Sequence, residues 1–258
     1  MKNTIKKNNK GYLIQPLNKP KISKDWKKPI DDFLMLIDKL ENDNIHSIYL
    51  RGSVAVGDEI PNISDIDFYI VTKEPTNEFD TKRIRDLCDD LNKKYNFITK
   101  YDIGYFTIND ILNIPERFLL KLTSFCVYGE DIKNKIKDPK LGSEIQLSLS
   151  GLESDLNKLK AEIKGGFYNK ENTKQTCVWL TKKIIRSSFE LISEKESEYS
   201  RDLRFCINRF TKHYPNKNDE IEKVLNLFLS PTNKIEDLKN IIDGIGIWLI
   251  EQYKTPSR

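Results

Sequence analysis

Hydrophobic positions follow a mixed rhythm in the first half of the chain and a purely helical one in the second. From about Asp25, the residues Ile30, Phe33, Leu34, Ile37 and Leu40 keep the i, i+3, i+4, i+7 spacing of one apolar helix face, and the helix ends in Asn42-Asp43-Asn44. A short apolar strand, Ile48-Tyr49-Leu50, then breaks at Arg51-Gly52-Ser53, and a small-residue segment closes at Gly57. After a polar loop, a second strand carries Asp65 and Asp67 on one face and sends Ile66, Phe68 and Ile70 into a core. A loop over residues 74–77 leads to a helix at about 79–94 that buries Ile84, Leu87, Cys88 and Leu91. A third strand, about 97–107, puts Phe97, Tyr101, Ile103 and Tyr105 on one side and Ile98, Lys100, Asp102, Gly104 and Phe106 on the other. The run from Phe118 to Val127 predicts a strongly apolar helix capped by Gly129.

Beyond residue 133 the strand signal ends. A Lys- and Pro-containing link places a domain boundary near 135–142, and helices are expected at about 143–164, 173–195, 200–213, 217–229 and 233–253. Residues 1–24 read as a basic, partly disordered tail with Pro16 and Pro20 as breakers, residues 25–138 as one domain and residues 139–258 as a helical one. With 38% hydrophobic and 32% charged residues, the chain has the composition of a polar globular protein. It has no apolar run of membrane-spanning length and no signal-peptide core, so the cytoplasm is the expected compartment. Four widely spaced cysteines are expected as buried free thiols, and two histidines (His46, His213) make a histidine metal site or a Ser-His triad improbable. A net charge of +4 suits anionic small molecules without the concentrated basic stripe of a dedicated nucleic-acid binder.

The chemistry concentrates between Ile48 and Thr72. Two carboxylates one residue apart on a strand repel each other unless a cation lies between them. Mg²⁺ is the expected one, because it takes carboxylate oxygens and shares its remaining positions with water and phosphates. The Gly52-Ser53 turn offers close backbone approach and a hydroxyl donor to a triphosphate.

Taken together, the glycine-serine turn, Gly57, the eleven-residue spacer ending in Ser64 and the Asp65-x-Asp67 strand resemble the nucleotidyltransferase superfamily of DNA polymerase β. Within it the chain looks most like the bacterial antibiotic (aminoglycoside and lincosamide) nucleotidyltransferases and their relatives. The resemblance implies an α/β nucleotidyltransferase core, a small mixed sheet with helices, followed by an all-α C-terminal domain. It further implies a third carboxylate on the neighbouring strand, which helps hold the metal or accepts the proton of the attacking hydroxyl; Asp102 fits that place. Two Mg²⁺ ions would bind Asp65, Asp67 and Asp102, while Gly52 and Ser53, with Arg51 and Ser64, would hold the nucleotide.

On the helix at 173–195, Gln175, Trp179, Lys182 and Arg186 form one stripe. Periodicity alone serves a solvated face and a phosphate-neutralising pair equally, and the resemblance favours nucleotide binding by Lys182 and Arg186. The glutamate base that the resembled enzymes often carry one turn before that lysine is missing here; Glu190 lies on the stripe, and Asp102 is the other candidate base. The tract Glu198–Pro215 reads as helix-start chemistry from Ser200 and Asp202, or as an acceptor pocket lined by Tyr199 and Arg201. The implied reaction moves a nucleoside monophosphate, by family habit AMP from ATP, to a hydroxyl of an antibiotic-type small molecule. An RNA or protein acceptor, as in toxin-like or regulatory relatives, and a non-catalytic antitoxin-like protein are the alternatives; oligomeric state is not written in the sequence.

Overall fold

The computed structural model describes residues 4–15, 19–40 and 42–255. The chain divides into two units, Ile14–Asp138 and a second made of Met1–Leu13 with Pro139–Arg258. The first described element, β1 (Ile5–Lys6), therefore belongs with the C-terminal helices.

The central unit is built as α1 (Lys24–Asp38), β2 (Ile45–Arg51), α2 (Gly52–Val56), β3 (Ile66–Thr72), α3 (Glu78–Lys94), β4 (Tyr101–Thr107), α4 (Ile108–Asn113), α5 (Arg117–Thr123) and β5 (Phe125–Gly129). Its sheet has the order β4-β3-β2-β5. β3 and β4 run parallel, joined by α3 as a crossover, whereas β2 is antiparallel to both β3 and β5. The expected small mixed sheet is thus present. One face packs on α1 and α3: Phe33 stacks on Phe68 with ring centroids 4.4 Å apart, and Ile30, Ile37, Ile84 and Leu91 fill in around them. Asn77 caps α3 by accepting the Asp80 N–H at 2.8 Å.

Two expectations change here. The apolar run at 118–127 is not one helix: α5 ends at Thr123, Ser124 is extended, and Phe125–Gly129 becomes β5. A continuous apolar run does not distinguish a buried helix from a buried strand. Tertiary structure decides the matter, because the free edge of β2 takes Phe125, Cys126 and Tyr128 as ladder partners of Leu50, Tyr49 and Ile48. Gly129 is at φ +73°, but its absent side chain makes room for the His46 carbonyl and does not cap a helix. The third strand is also shorter than expected. Residues before Tyr101 form a turn whose Phe97 carbonyl accepts the Asn62 N–H and whose Lys100 carbonyl accepts the Ile66 N–H, at 2.8 and 3.0 Å.

The helical unit comprises α6 (Leu147–Ser150), α7 (Leu152–Lys164), α8 (Lys170–Ile192), β6 (Glu198–Tyr199), α9 (Leu203–His213), α10 (Asn218–Leu229), α11 (Ile235–Ile241) and α12 (Ile247–Lys254). The helix expected at 233–253 is interrupted by a wide turn over Ile242–Gly246, where Gly244 leaves helical geometry. A side chain at Gly246 would press on Leu156 and Ile184, so the glycine lets the chain pack tightly there. Cys177 and Cys206 are buried free thiols in this unit, as Cys88 is in the other; Cys126 is half-buried.

Part of the expected N-terminal tail is structured. β1 pairs antiparallel with β6, matching Ile5 to Tyr199 and Lys6 to Glu198. Residues 7–13 then form a hairpin turned at Gly11, and the Leu13 N–H donates to the Pro139 carbonyl at 2.8 Å. Ile5 and Leu13 are buried, which explains why this stretch is ordered despite its lysines. Residues 1–3 and 16–18, with the Pro16 breaker, lie outside the described residues.

Candidate active site

Strand register gathers the acids. Asp67 on β3 is the parallel partner of Asp102 on β4, and Asp65 immediately precedes β3. In the parallel pair, register partners project to the same face. One carboxylate oxygen from each of Asp65, Asp67 and Asp102 lies within 4.8 Å of the other two, the cluster found among the described residues with metal-holding geometry. Asp65 and Asp67 are partly shielded, Asp67 with 13% of its side chain accessible, whereas Asp102 is 49% accessible and pairs with Lys100 at 3.1 Å. Three hard oxygen donors with no nitrogen or sulfur suit Mg²⁺ or Mn²⁺ and not a softer metal.

On the other side of Asp67 stands β2. Its last residue, Arg51, is the antiparallel partner of Asp67, and its Nη1 donates to Asp67 Oδ1 at 3.0 Å. The guanidinium also lies 4.5 Å from the centroid of the Tyr69 ring. Gly52 follows at φ +77°, and a β-carbon there would overlap the Asp67 carboxylate. The turn is glycine because the backbone is left-handed and the carboxylate occupies the side-chain space. Gly57, at φ +74°, ends α2.

Ser53 and Ser64 meet across the loop: Ser53 Oγ donates to Ser64 Oγ at 3.1 Å, and Ser64 Oγ also accepts the Ile60 N–H at 2.9 Å. Ser64 is 5% exposed. It is expected to help hold the nucleotide; in this structure its oxygen accepts two bonds within the loop that precedes Asp65.

The residues expected from the helical unit sit as follows within that unit. Lys182 is half-buried on α8, with its ammonium 5.8 Å from the Phe228 ring centroid, and Trp179 is 43% exposed. Arg186 lines a narrow hollow with Glu190, Tyr199, Ser200, Arg201 and Cys206. Glu190 is buried, and its Oε2 accepts the Leu149 N–H at 2.7 Å. Burial pushes its carboxyl up to about 7, against the opposing pull of that N–H and the Arg201 charge. Glu190 is thus a core group of the helical unit. Tyr199 is buried beside Phe189, and Asp202, not Ser200, caps α9 by accepting the Phe205 N–H at 2.7 Å.

The Arg51–Asp67 pair was missed as a pair, since nothing in a linear sequence states which residue of β3 faces the end of β2. The placement of Arg51 next to Gly52 was the available signal.

With this geometry in place, the class of the site-bearing segment follows: residues 35–116, which carry Asp65, Asp67 and Asp102, match the nucleotidyltransferase domain family. Among solved structures, spectinomycin adenyltransferase AAD(9) from Enterococcus faecialis, seen with ATP and spectinomycin, is similar with a TM-score of 0.59. The match covers 89% of this chain and 99% of that one at 13% identity, so the likeness is one of fold. The complex of tri-AMPylated Shewanella oneidensis HEPN toxin with MNT antitoxin matches at 12% identity over 54% of this chain and 98% of that one, with a TM-score of 0.24 too low to bear on the argument. No curated protein matches the sequence. Among the described residues, no helix is long and apolar enough to cross a membrane.

Proposed function

We propose that this nucleotidyltransferase moves AMP from ATP onto a hydroxyl group of a small, antibiotic-type acceptor and releases pyrophosphate. The observation that carries the proposal is the convergence of Asp65, Asp67 and Asp102 beside the Gly52-Ser53 turn. Asp65, Asp67 and Asp102 would hold Mg²⁺, two ions in the fullest arrangement, whose charge stabilises the triphosphate and makes an acceptor hydroxyl more acidic. Gly52 brings the backbone within reach of the phosphates, and the Ser53 hydroxyl would exchange its bond to Ser64 for one to a phosphate oxygen. In the transfer, the acceptor oxygen bonds to the α-phosphorus as the bond to the β-phosphate breaks in line. Asp102, the most accessible of the three acids, takes the acceptor's proton. Lys182 and Arg186, one turn apart on α8, are proposed as the cations of the helical unit that meet phosphate charge.

The small-molecule acceptor is preferred because the fold resembles that of an antibiotic adenyltransferase. The RNA or protein alternative leaned on a free basic N-terminus. That support weakens, since Lys6 pairs with Glu198 and the Lys7 ammonium donates to the Glu196 carbonyl. The test is incubation with Mg²⁺, each of the four labelled nucleoside triphosphates and panels of aminoglycosides, spectinomycin, lincosamides, tRNA and cell lysate. Label on a small molecule from ATP, with matching pyrophosphate release, supports the reading; label confined to RNA or protein overturns the acceptor class.

A further inference from the structure

Arg51, Asp67 and Asp102 form a row across three adjacent strands, since Arg51 is the register partner of Asp67 on one side and Asp102 on the other. Two cations flank the clustered acids: Arg51 bonds the shielded Asp67 at 3.0 Å, and the more exposed Lys100 pairs with Asp102 at 3.1 Å. Arg51 is 17% accessible and its Nε is buried without a hydrogen bond. Such a pair contributes little net stability, because the desolvation of both ions offsets their attraction and one donor goes unsatisfied. Its geometry nevertheless fixes Asp67 firmly. Arg51 Nη1 bonds Oδ1, Oδ2 fills the space a side chain on Gly52 would take, and the Tyr69 ring backs the guanidinium.

We propose that Arg51 is a built-in counter-cation of the acidic triad, a positioning residue that keeps Asp67 aimed and the three acids tolerable to one another when no metal is bound. This rests on the reading of the triad as a divalent-metal site. The physical consequence is a set point. A fixed positive charge beside Asp67 lowers the affinity of the acids for a divalent ion, so the site exchanges metal instead of retaining it. The same charge protects the metal-free protein from the mutual repulsion of its carboxylates.

The experiment compares the wild type, Arg51→Met and Arg51→Lys by Mn²⁺ titration followed by electron paramagnetic resonance, and by thermal unfolding with and without saturating Mn²⁺. Arg51→Met is expected to bind Mn²⁺ about tenfold more tightly, an order of magnitude set by removing one charge a few ångströms from the ion. Its Tm is expected to fall by about 3 °C or more without metal and to recover most of that loss with Mn²⁺. Arg51→Lys, which keeps the charge, should stay within about threefold of the wild-type affinity. Equal or weaker Mn²⁺ binding by Arg51→Met, or a Tm loss that Mn²⁺ does not repair, overturns the proposal. So does a variant whose one defect is a raised KM for the nucleotide, which would return Arg51 to the phosphates. If the wild type itself binds no Mn²⁺, the metal reading of the triad fails first, and the two failures are told apart.

Discussion

Gly52 and Asp67 occupy the same space: a side chain on the glycine would overlap the carboxylate that the next strand presents. The turn proposed to offer its backbone to a nucleotide and the acid proposed to hold the metal are therefore one packed unit. Gly52→Ala is expected to lower Tm by a few degrees, because φ +77° is strained for alanine by about 1 kcal/mol and Asp67 must move. Transfer should fall by at least about 100-fold through the displaced acid. Mn²⁺ titration of the variant checks the displacement independently of turnover.

Replacing Asp65, Asp67 or Asp102 by Asn removes one ligand while keeping size and shape. Each of the first two is expected to cost transfer about 1000-fold or more, as loss of metal charge stabilisation is worth several kcal/mol. Asp102→Asn should show its own signature, a loss of kcat with little change in nucleotide KM, if it takes the acceptor proton. Pyrophosphate release with far-ultraviolet circular dichroism as the folding control measures both.

Glu190 gives the helical unit a pH dependence. Its carboxyl is pushed up to about 7, so between about pH 4.5 and 7 the folded state holds a proton that the unfolded state has lost. Stability contributed by this group is complete below that window, falls as pH rises through it and is level above it. The shift corresponds to about 3 kcal/mol at most. Glu190→Gln is expected to remove the slope, so its Tm relative to wild type should be higher at pH 8 than at pH 5. A pH-independent difference in calorimetry would show that burial does not raise this carboxyl.

Deletion of residues 1–13 tests the N-terminal strap. Ile5 and Leu13 are buried, and β1 supplies the ladder partner of β6. Losing two buried aliphatic side chains, at about 1.5–3 kcal/mol each, should lower the Tm by about 5 °C or more. An unchanged melting curve would mean that the helical unit does not depend on the strap.

The legible parts of the sequence were those encoded over short spans. The i, i+3, i+4 rhythm located α1, α3 and the helices after residue 143, and the alternation around Asp65-x-Asp67 located β3 with its acids on one side. The spacing from Gly52 to Asp67 carried the resemblance to nucleotidyltransferases, and residues 35–116 match that domain family. Where span gave way to pairing, the reading faltered. Phe125–Gly129 looked helical because a run of apolar residues has no period, and only the open edge of β2 made it a strand. Nothing in the linear sequence showed that the Ser64 oxygen accepts from both Ser53 and the Ile60 N–H, a pairing made across the loop.

Sequence by itself determined that Asp65 and Asp67 share one face beside a glycine-serine turn and what class of reaction such a set would suit, since residue type and strand parity are local properties. Only the tertiary structure decided that Asp102 stands in register with Asp67, that Arg51 closes on Asp67 from the opposite strand, and that the first thirteen residues belong to the last hundred and twenty. Those are pairings between distant segments, and they are fixed by ladder hydrogen bonds and buried side chains that find their partners only when the chain has folded.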